Sequence, residues 1–413
     1  LDNKLKNAGE HGITLGEVKL DFAPAMKRSR AVSTQNSKGV EFLFKRAKIT
    51  YIKGTGKLTN PTTVSVTTTD GKTESHTAKK GVVVSTGSKV KGLPQVGLEL
   101  NKTTVLSSDE ILVQEKAPKS MIVVGAGAVG CEFASMYHDL GTNVTLLEYF
   151  PQIVPLEDRE VSQALERSFT RRGITVMTNA RFDSTKVEVT KDGICLVVGP
   201  EGKEPAELRA EQLLVAAGRA TNVEDIGLET TKVEVDKGIV KVDGRMRTKE
   251  PHVYAIGDIV GGLMLAHTAA HEGIVAAHVI AGDRDVHPID YVKQPRATYC
   301  RPEIASIGLT QQQAEERGRP IKVGKVPFQA IAKALIGGEY EGFAKIIADK
   351  ETDETLGIHL IGPHATDLIA EASVAFELEA TPWEIGGSTH AHPTLSEIMG
   401  EAALAVDGRS INF

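Results

Sequence analysis

Apolar positions change their period several times along the chain, and each change marks a predicted element. From about Asp21 to Lys45 the pattern predicts a long polar-faced helix, running into a strand and a glycine turn at GTGK. VSVTTTDGKTESHT alternates around Asp70-Gly71, which predicts a hairpin with that pair as its turn. KAPKS, Lys116 to Ser120, reads as a boundary. After it the run MIVV, a glycine cluster, a helical stretch and VTLLE predict a buried strand, turn, helix and second strand, with helix and strand alternating until about Thr248. VYAIGDIVGG and a helix opening at Leu265 read as a return to the first domain. Beyond Val292, mixed strands (RATYCRPEIASIG, GFAKIIAD, LGIHLIG) surround an amphipathic helix beginning near Asp367. The opening LDNKLKNAGEHGI has the pattern of a helix's last turns.

Composition narrows the classes. A length of 413 residues suggests about three domains at roughly 150 residues each. Forty glycines and few aromatics favour alternating strands and helices. With 48 basic and 54 acidic residues the net charge of -6 offers no general basic surface for nucleic acid. No apolar run approaches the ~20 residues of a membrane span. Cys131, Cys195 and Cys300 form no CxxC pair, which points to a reducing compartment and no zinc site.

GAGAVG, Gly125 to Gly130, matches G-x-G-x-x-G, and its context gives the match its weight: an apolar strand precedes it, a helix follows, and Glu148 ends the next strand 18 residues after Gly130. There Gly125, Gly127 and Gly130, with Ala128 and Val129, allow a tight turn and close approach of a pyrophosphate to a helix N-terminus. Glu148 is placed to bond a ribose 2′-OH, and its charge repels a 2′-phosphate, so NAD is expected rather than NADP. Glu132 suits the positive helix end. Cys131 beside it reads as a small buried packing residue. Three further segments, VVVSTGS, LLVAAGRATN with Gly218, and VYAIGDIVGG, are apolar strands ending in a small residue and glycine, a form that lets backbone approach a cofactor. HAHPTLSE, His390 to Glu397, admits three readings: a metal pair, a general base His392 oriented by Glu397, or a capped turn with a helix starting at Pro393.

In this order the motifs resemble those of the flavin-dependent pyridine nucleotide-disulfide oxidoreductases. GIHLIGPHATDLIAEASVAFELEATPWEIGGSTHAHPTLSEIMGEAAL, Gly357 to Leu404, is similar to the C-terminal domain of that family's dihydrolipoamide dehydrogenase branch. The resemblance covers nearly the whole chain. It implies an α/β fold: two Rossmann-like nucleotide-binding domains, the FAD domain incomplete and discontinuous, plus an α+β dimerisation domain. The implied borders are 1–115 and 249–290 for FAD, 116–248 for NAD and 291–413 for the interface. Gly56 and Thr86, Gly87 and Ser88 are implied to line the adenosine half of FAD. Asp258 is implied at its ribityl or pyrophosphate region, and Met264, Leu265, Ala266 and His267 at the flavin ring. The resemblance implies that His392 takes a proton from the dithiol and that Glu397 holds its ring. His390 reads as a packing or supporting residue, and no metal is expected.

The implied reaction is FAD-dependent oxidation of dihydrolipoamide with NAD as acceptor. Implied partners are a second copy in a homodimer and the lipoyl-bearing subunits of 2-oxoacid dehydrogenase complexes or the glycine cleavage system, in a bacterial cytoplasm or mitochondrial matrix. The family's first G-x-G-x-x-G and its CxxxxC disulfide do not occur in the sequence. The expectation is therefore of a chain without its N-terminal segment, inactive by the family route unless that segment is present.

Overall fold

A computed structural model describes residues 5, 7–200 and 204–413. The expected helix remnant at the start lies partly outside the described residues, and within them Ala8–His11 is a 3-10 turn. Phe22–Arg46 is helical, as the pattern predicts. The chain divides into two compact units: Leu1–Ala31, Lys91–Ala217 and Pro295–Phe413 form one, Val32–Val90 and Gly218–Gln294 the other. These crossing points differ from the domain borders expected from sequence, because strand pairing sets them. Val105–Leu106 pairs with Gln212–Val215 inside the first unit, whereas Arg219–Thr221 pairs with Ser88–Val90 inside the second.

The first unit contains a five-stranded parallel sheet in the order Val105–Leu106, Gln212–Val215, Ser120–Val124, Asn143–Leu147, Thr175–Met177. MIVV is apolar throughout because both faces of this sheet are covered. Met121 and Val123 pack with Cys131, Ala134, Leu165 and Phe169 from the helices Ala128–Asp139 and Arg159–Arg172. Ile122 and Val124 pack on the opposite side with Ile194, Leu196 and Val198.

That second cover corrects the expected alternation of helix and strand up to Thr248. Ala180–Thr190, Gly193–Pro200 and Ala206–Ala210 form an antiparallel three-stranded sheet instead. Thr190 pairs with Gly193 across the Asp192 turn, and the alternating apolar residues of these strands supply one buried face.

The same unit holds an antiparallel sheet in the order Arg296–Thr298, Glu303–Gly308, Thr355–Gly362, Phe343–Asp349, Ile321–Pro327. The helices Ala365–Glu377 and Glu397–Ala405 cover one face, where Ala305, Ile346, Ile358, Ala372 and Met399 share a core.

In the second unit Gly54–Asn60, Thr63–Thr68 and Thr73–Thr77 form a meander, with Asp70 and Gly71 between its last two strands. GTGK, expected as a glycine turn, lies within the first of these strands, and Gly56 pairs with Val66. The β-branched partners opposite it favour pairing over a turn. Val82–Val84 runs parallel to Val253–Ala255, and the helix Ala266–Ala281 follows.

Candidate functional site

The glycine fingerprint is built from three different glycines. A Cβ on Gly130 would stand 1.8 Å from the Gly125 carbonyl oxygen, so helix and turn touch there. Gly125 has φ 98°, and a Cβ on it would lie 2.6 Å from the Ala216 carbonyl oxygen. A Cβ on Gly127 would meet nothing within 4 Å. Of the three, only Gly127 faces open space, so the protein's own packing does not require a glycine there. Gly127 is the N-cap of Ala128–Asp139, and no side chain caps this helix. The amides of its first turn, those of Ala128 and Val129 among them, have no partner within the helix, the general condition for anion binding at a helix start.

Glu148 sits under the turn. It is 5% exposed, its Oε2 accepts the Ala126 N–H at 2.6 Å and its Oε1 accepts the Phe150 N–H at 2.9 Å. Each oxygen keeps a further lone pair for a hydroxyl donor. Beside it Arg181 lies over the Tyr149 ring at 3.8 Å and donates to the Tyr149 carbonyl at 2.7 Å. Sequence reasoning missed this pair, because the two residues meet only through strand placement. Glu132 accepts the Tyr299 N–H at 3.0 Å, and burial raises its carboxyl. Cys131 is fully buried, which pushes its thiol well up.

A second constellation lies in the second unit, where parallel pairing brings the ends of VVVSTGS and VYAIGDIVGG together. The Ser88 hydroxyl bonds the Asp258 carboxylate and accepts from Arg219 Nε at 2.6 Å. Thr86 Oγ1 donates to the Asn222 carbonyl at 2.7 Å, and Asn222 Nδ2 returns a bond to the Thr86 carbonyl at 2.9 Å. Gly87 has φ 67°. LLVAAGRATN thus contributes Arg219 and Asn222, while Gly218, at φ 102°, makes the bend before them. Met264, at φ 51°, and Leu265, the N-cap, lead into Ala266 and His267 at a helix start that no side chain caps. Gly56 is placed in the meander strand, apart from these turns.

The third constellation is formed by HAHPTLSE, whose two histidines take different carboxylates. His392 Nδ1 lies 2.9 Å from Glu397 Oε1, and Glu397 Oε2 accepts the Thr394 N–H at 2.9 Å. That backbone N–H, against the opposing effect of burial and with help from His392, holds the Glu397 carboxyl below its usual range. The His392 side chain is 72% exposed, so its Nε2 edge is available. The helix begins at Glu397 and not at Pro393, because the Thr394 hydroxyl donates back to the Ala391 carbonyl and closes a turn first. His390 takes a different carboxylate, Glu371 Oε1 at 2.8 Å, and rests against Gly400, where a Cβ would stand 2.9 Å from its Nδ1.

Residues 4–273 match the pyridine nucleotide-disulphide oxidoreductase family, and residues 294–403 match the dimerisation domain of the same family. The chain is 44% identical over 415 residues to a dihydrolipoyl dehydrogenase of Bacillus subtilis (strain 168), covering 99% of this chain and 87% of that one. It is 41% identical to a dihydrolipoyl dehydrogenase of Chlorobaculum tepidum over 96% of this chain and 84% of that one. Among solved structures, LpdA from Mycobacterium tuberculosis superposes with a TM-score of 0.89 at 27% identity, covering 97% of this chain and 86% of that chain. The chain belongs to the pyridine nucleotide-disulphide oxidoreductases, in their dihydrolipoyl dehydrogenase branch.

Proposed function

We propose that the protein oxidises dihydrolipoamide with NAD as acceptor, using FAD, and that the hydrogen-bonded pair His392–Glu397 carries the substrate's proton. That pair, joined at 2.9 Å, is the observation on which the reading rests. FAD, when bound, supplies two-electron transfer between a dithiol and the nicotinamide. The chain's own groups do the rest. His392 Nε2 would take the thiol proton as the thiolate attacks the family's CxxxxC disulfide, a pair these 413 residues do not contain, since a thiol near pKa 8.5 is mostly protonated at neutral pH. Glu397 fixes the ring through Nδ1 and stabilises the imidazolium that forms.

The dinucleotide fits the first constellation. Open space at Gly127 admits a pyrophosphate, the uncapped helix start supplies N–H donors, and Glu148 offers lone pairs to a ribose. Gly125, Ala128, Val129, Gly130 and Glu132 shape this site, and Gly218, the bend after LLVAA, is assigned to cofactor binding as well. FAD is assigned to Thr86, Gly87, Ser88 and Asp258, with Met264, Leu265, Ala266 and His267 at the ring and Gly56 at its adenosine half. The uncapped start of the helix Ala266–Ala281 and the Ser88–Asp258–Arg219 cluster support that assignment. Functionally, 1–115 and 249–290 would then serve FAD, 116–248 NAD and 291–413 the dimer.

A homodimer follows from the match to a dimerisation domain, and exposed Val374, Leu378 and Trp383 in that region offer apolar surface for it. We further assign lipoyl-bearing subunits as macromolecular partners and a bacterial cytoplasm or mitochondrial matrix as the setting. Among the described residues no helix is long and apolar enough to cross a membrane.

The test is NADH formation from dihydrolipoamide by the FAD-loaded dimer of a chain that carries the CxxxxC segment, with His392→Gln alongside. Loss of about 10²- to 10⁴-fold in the variant is expected for a general base. Turnover of glutathione disulfide with NADPH in place of lipoamide would transfer the protein to another disulfide reductase class.

A further inference from the structure

One register line crosses all five strands of the C-terminal sheet. Arg296 faces Ser306, Ser306 faces His359, His359 faces Lys345, and Lys345 faces Lys325. These five polar residues share the face opposite the helix-covered core, and Ser306, His359 and Lys345 have no exposure. Against them lies the acidic run Glu157-Asp158-Arg159-Glu160. Arg296 Nε is 3.2 Å from Glu157 Oε1, and the Ser306 hydroxyl donates to Glu157 Oε2 at 2.5 Å. Lys345 Nζ reaches Asp158 Oδ1 at 2.9 Å and Glu160 Oε2 at 2.8 Å, and Lys325 Nζ reaches Glu160 Oε1 at 2.5 Å. Asp158 Oδ2 also accepts the Gln311 N–H at 3.1 Å.

The acidic run begins three residues after Val154, which bonds to the dinucleotide turn. Val154, buried and at φ 39°, donates its N–H to the Ala126 carbonyl at 2.7 Å, while Glu157 N–H returns to the Val154 carbonyl at 2.9 Å. A β-branched residue persists at positive φ only where its surroundings over-determine it. Here one surrounding is the fingerprint and the other is the sheet. Ala126 is therefore held on both sides, by Glu148 at its N–H and by Val154 at its carbonyl.

We propose that Ser306 and Lys345, with Arg296, are positioning residues for the dinucleotide site, acting from the C-terminal sheet through the 153–158 segment on the Ala126 peptide. The proposal rests on the reading of GAGAVG as the NAD site. If the row is released, Val154 relaxes toward ordinary φ, the Ala126 carbonyl loses its backbone donor and keeps only the weaker Cys131 thiol at 3.3 Å, and the turn that receives the pyrophosphate loses its fixed shape. Substrate-proton chemistry at His392 does not pass through this path.

The test is the dissociation constant for NADH in the FAD-loaded dimer, read by fluorescence titration, for wild type, Ser306→Ala, Lys345→Met and Lys345→Arg. Couplings of this kind weaken binding by about three- to thirtyfold. That loss is expected in Ser306→Ala and Lys345→Met, with partial recovery in Lys345→Arg and an unchanged KM for dihydrolipoamide. If Lys345→Met does not fold, Ser306→Ala decides. NADH binding within twofold of wild type in the folded variants, even with a lowered melting temperature, overturns the proposal and leaves the row a purely structural clasp. Failure of wild type itself to bind NADH would instead remove the NAD reading.

Discussion

Alanine at Gly127 and alanine at Gly130 separate a turn shaped for a ligand from one shaped for packing. At Gly127 the backbone is extended, with φ −70° and ψ −173°, and a Cβ meets nothing within 4 Å. Alanine there loses a little as an N-cap but restricts the unfolded chain, two effects of about 0.5–1 kcal/mol and opposite sign, so stability should hardly move. The methyl group then occupies the approach of the pyrophosphate. Forfeiting one hydrogen bond to a charged group costs about 1.5–3 kcal/mol, roughly tenfold to a hundredfold in NADH affinity. At Gly130 the Cβ would sit 1.8 Å from a carbonyl oxygen, and no side chain can move aside to relieve it. Overpacking of that kind costs about 1–3 kcal/mol or more, so Gly130→Ala should lose stability and affinity together. NADH titration and thermal melting of both variants provide the check. Wild-type affinity in Gly127→Ala would refute the reasoning, because the open space would then receive no pyrophosphate.

Glu397→Gln should lower kcat/KM for dihydrolipoamide by roughly tenfold, since it weakens a charge-assisted bond worth about 1.5–3 kcal/mol, while NADH oxidation by an artificial one-electron acceptor stays unchanged; equal loss in both assays would sink the assignment. Glu148→Ala should reduce discrimination against NADPH by removing the carboxylate that repels a 2′-phosphate; an unchanged NADH-to-NADPH ratio of kcat/KM would count against it. Burial lowers the His359 pKa against the opposing charge of Asp158, so the folded protein refuses a proton that the unfolded chain takes near its ordinary 6.5. Stability from this group is present above that pH and lost as pH falls, with a slope of at most about 1.4 kcal/mol per unit. His359→Gln should flatten the denaturation midpoint between pH 7 and 5 by one proton's worth, and parallel profiles would refute it.

What the sequence disclosed was local. GAGAVG with its flanking apolar strands, Asp70-Gly71 between alternating runs, and His392 five residues before Glu397 carry their geometry in neighbouring positions. What it concealed depends on register between distant strands. FAKIIAD reads as an apolar strand with one lysine, and nothing in it says that Lys345 has no exposure. Glu132 reads as a match to a helix dipole, yet its bond partner is the Tyr299 amide 167 residues away. The expected alternation of helix and strand fails at Ala180–Thr190, Gly193–Pro200 and Ala206–Ala210, because a short apolar run looks the same in a parallel and an antiparallel sheet.

The polar line across the C-terminal sheet explains why that concealed information is also firmly fixed. Along Phe343–Asp349, Ala344 and Ile346 face the helix-covered core, and Lys345 between them faces the acidic run. A one-residue slip exchanges the two faces of a strand. It would bring Lys345 into the cluster of Ile358, Ala372 and Met399 without a carboxylate partner, and would leave Asp158, itself without exposure, without its ammonium. Breaking a buried pair in this way costs about 3–5 kcal/mol, more than several methyl groups recover. The same applies to His359 and Ser306 on neighbouring strands. Each strand's register is thus tied to the acidic run that follows the fingerprint, and the sheet cannot pair correctly without also setting the position of the segment that holds Ala126.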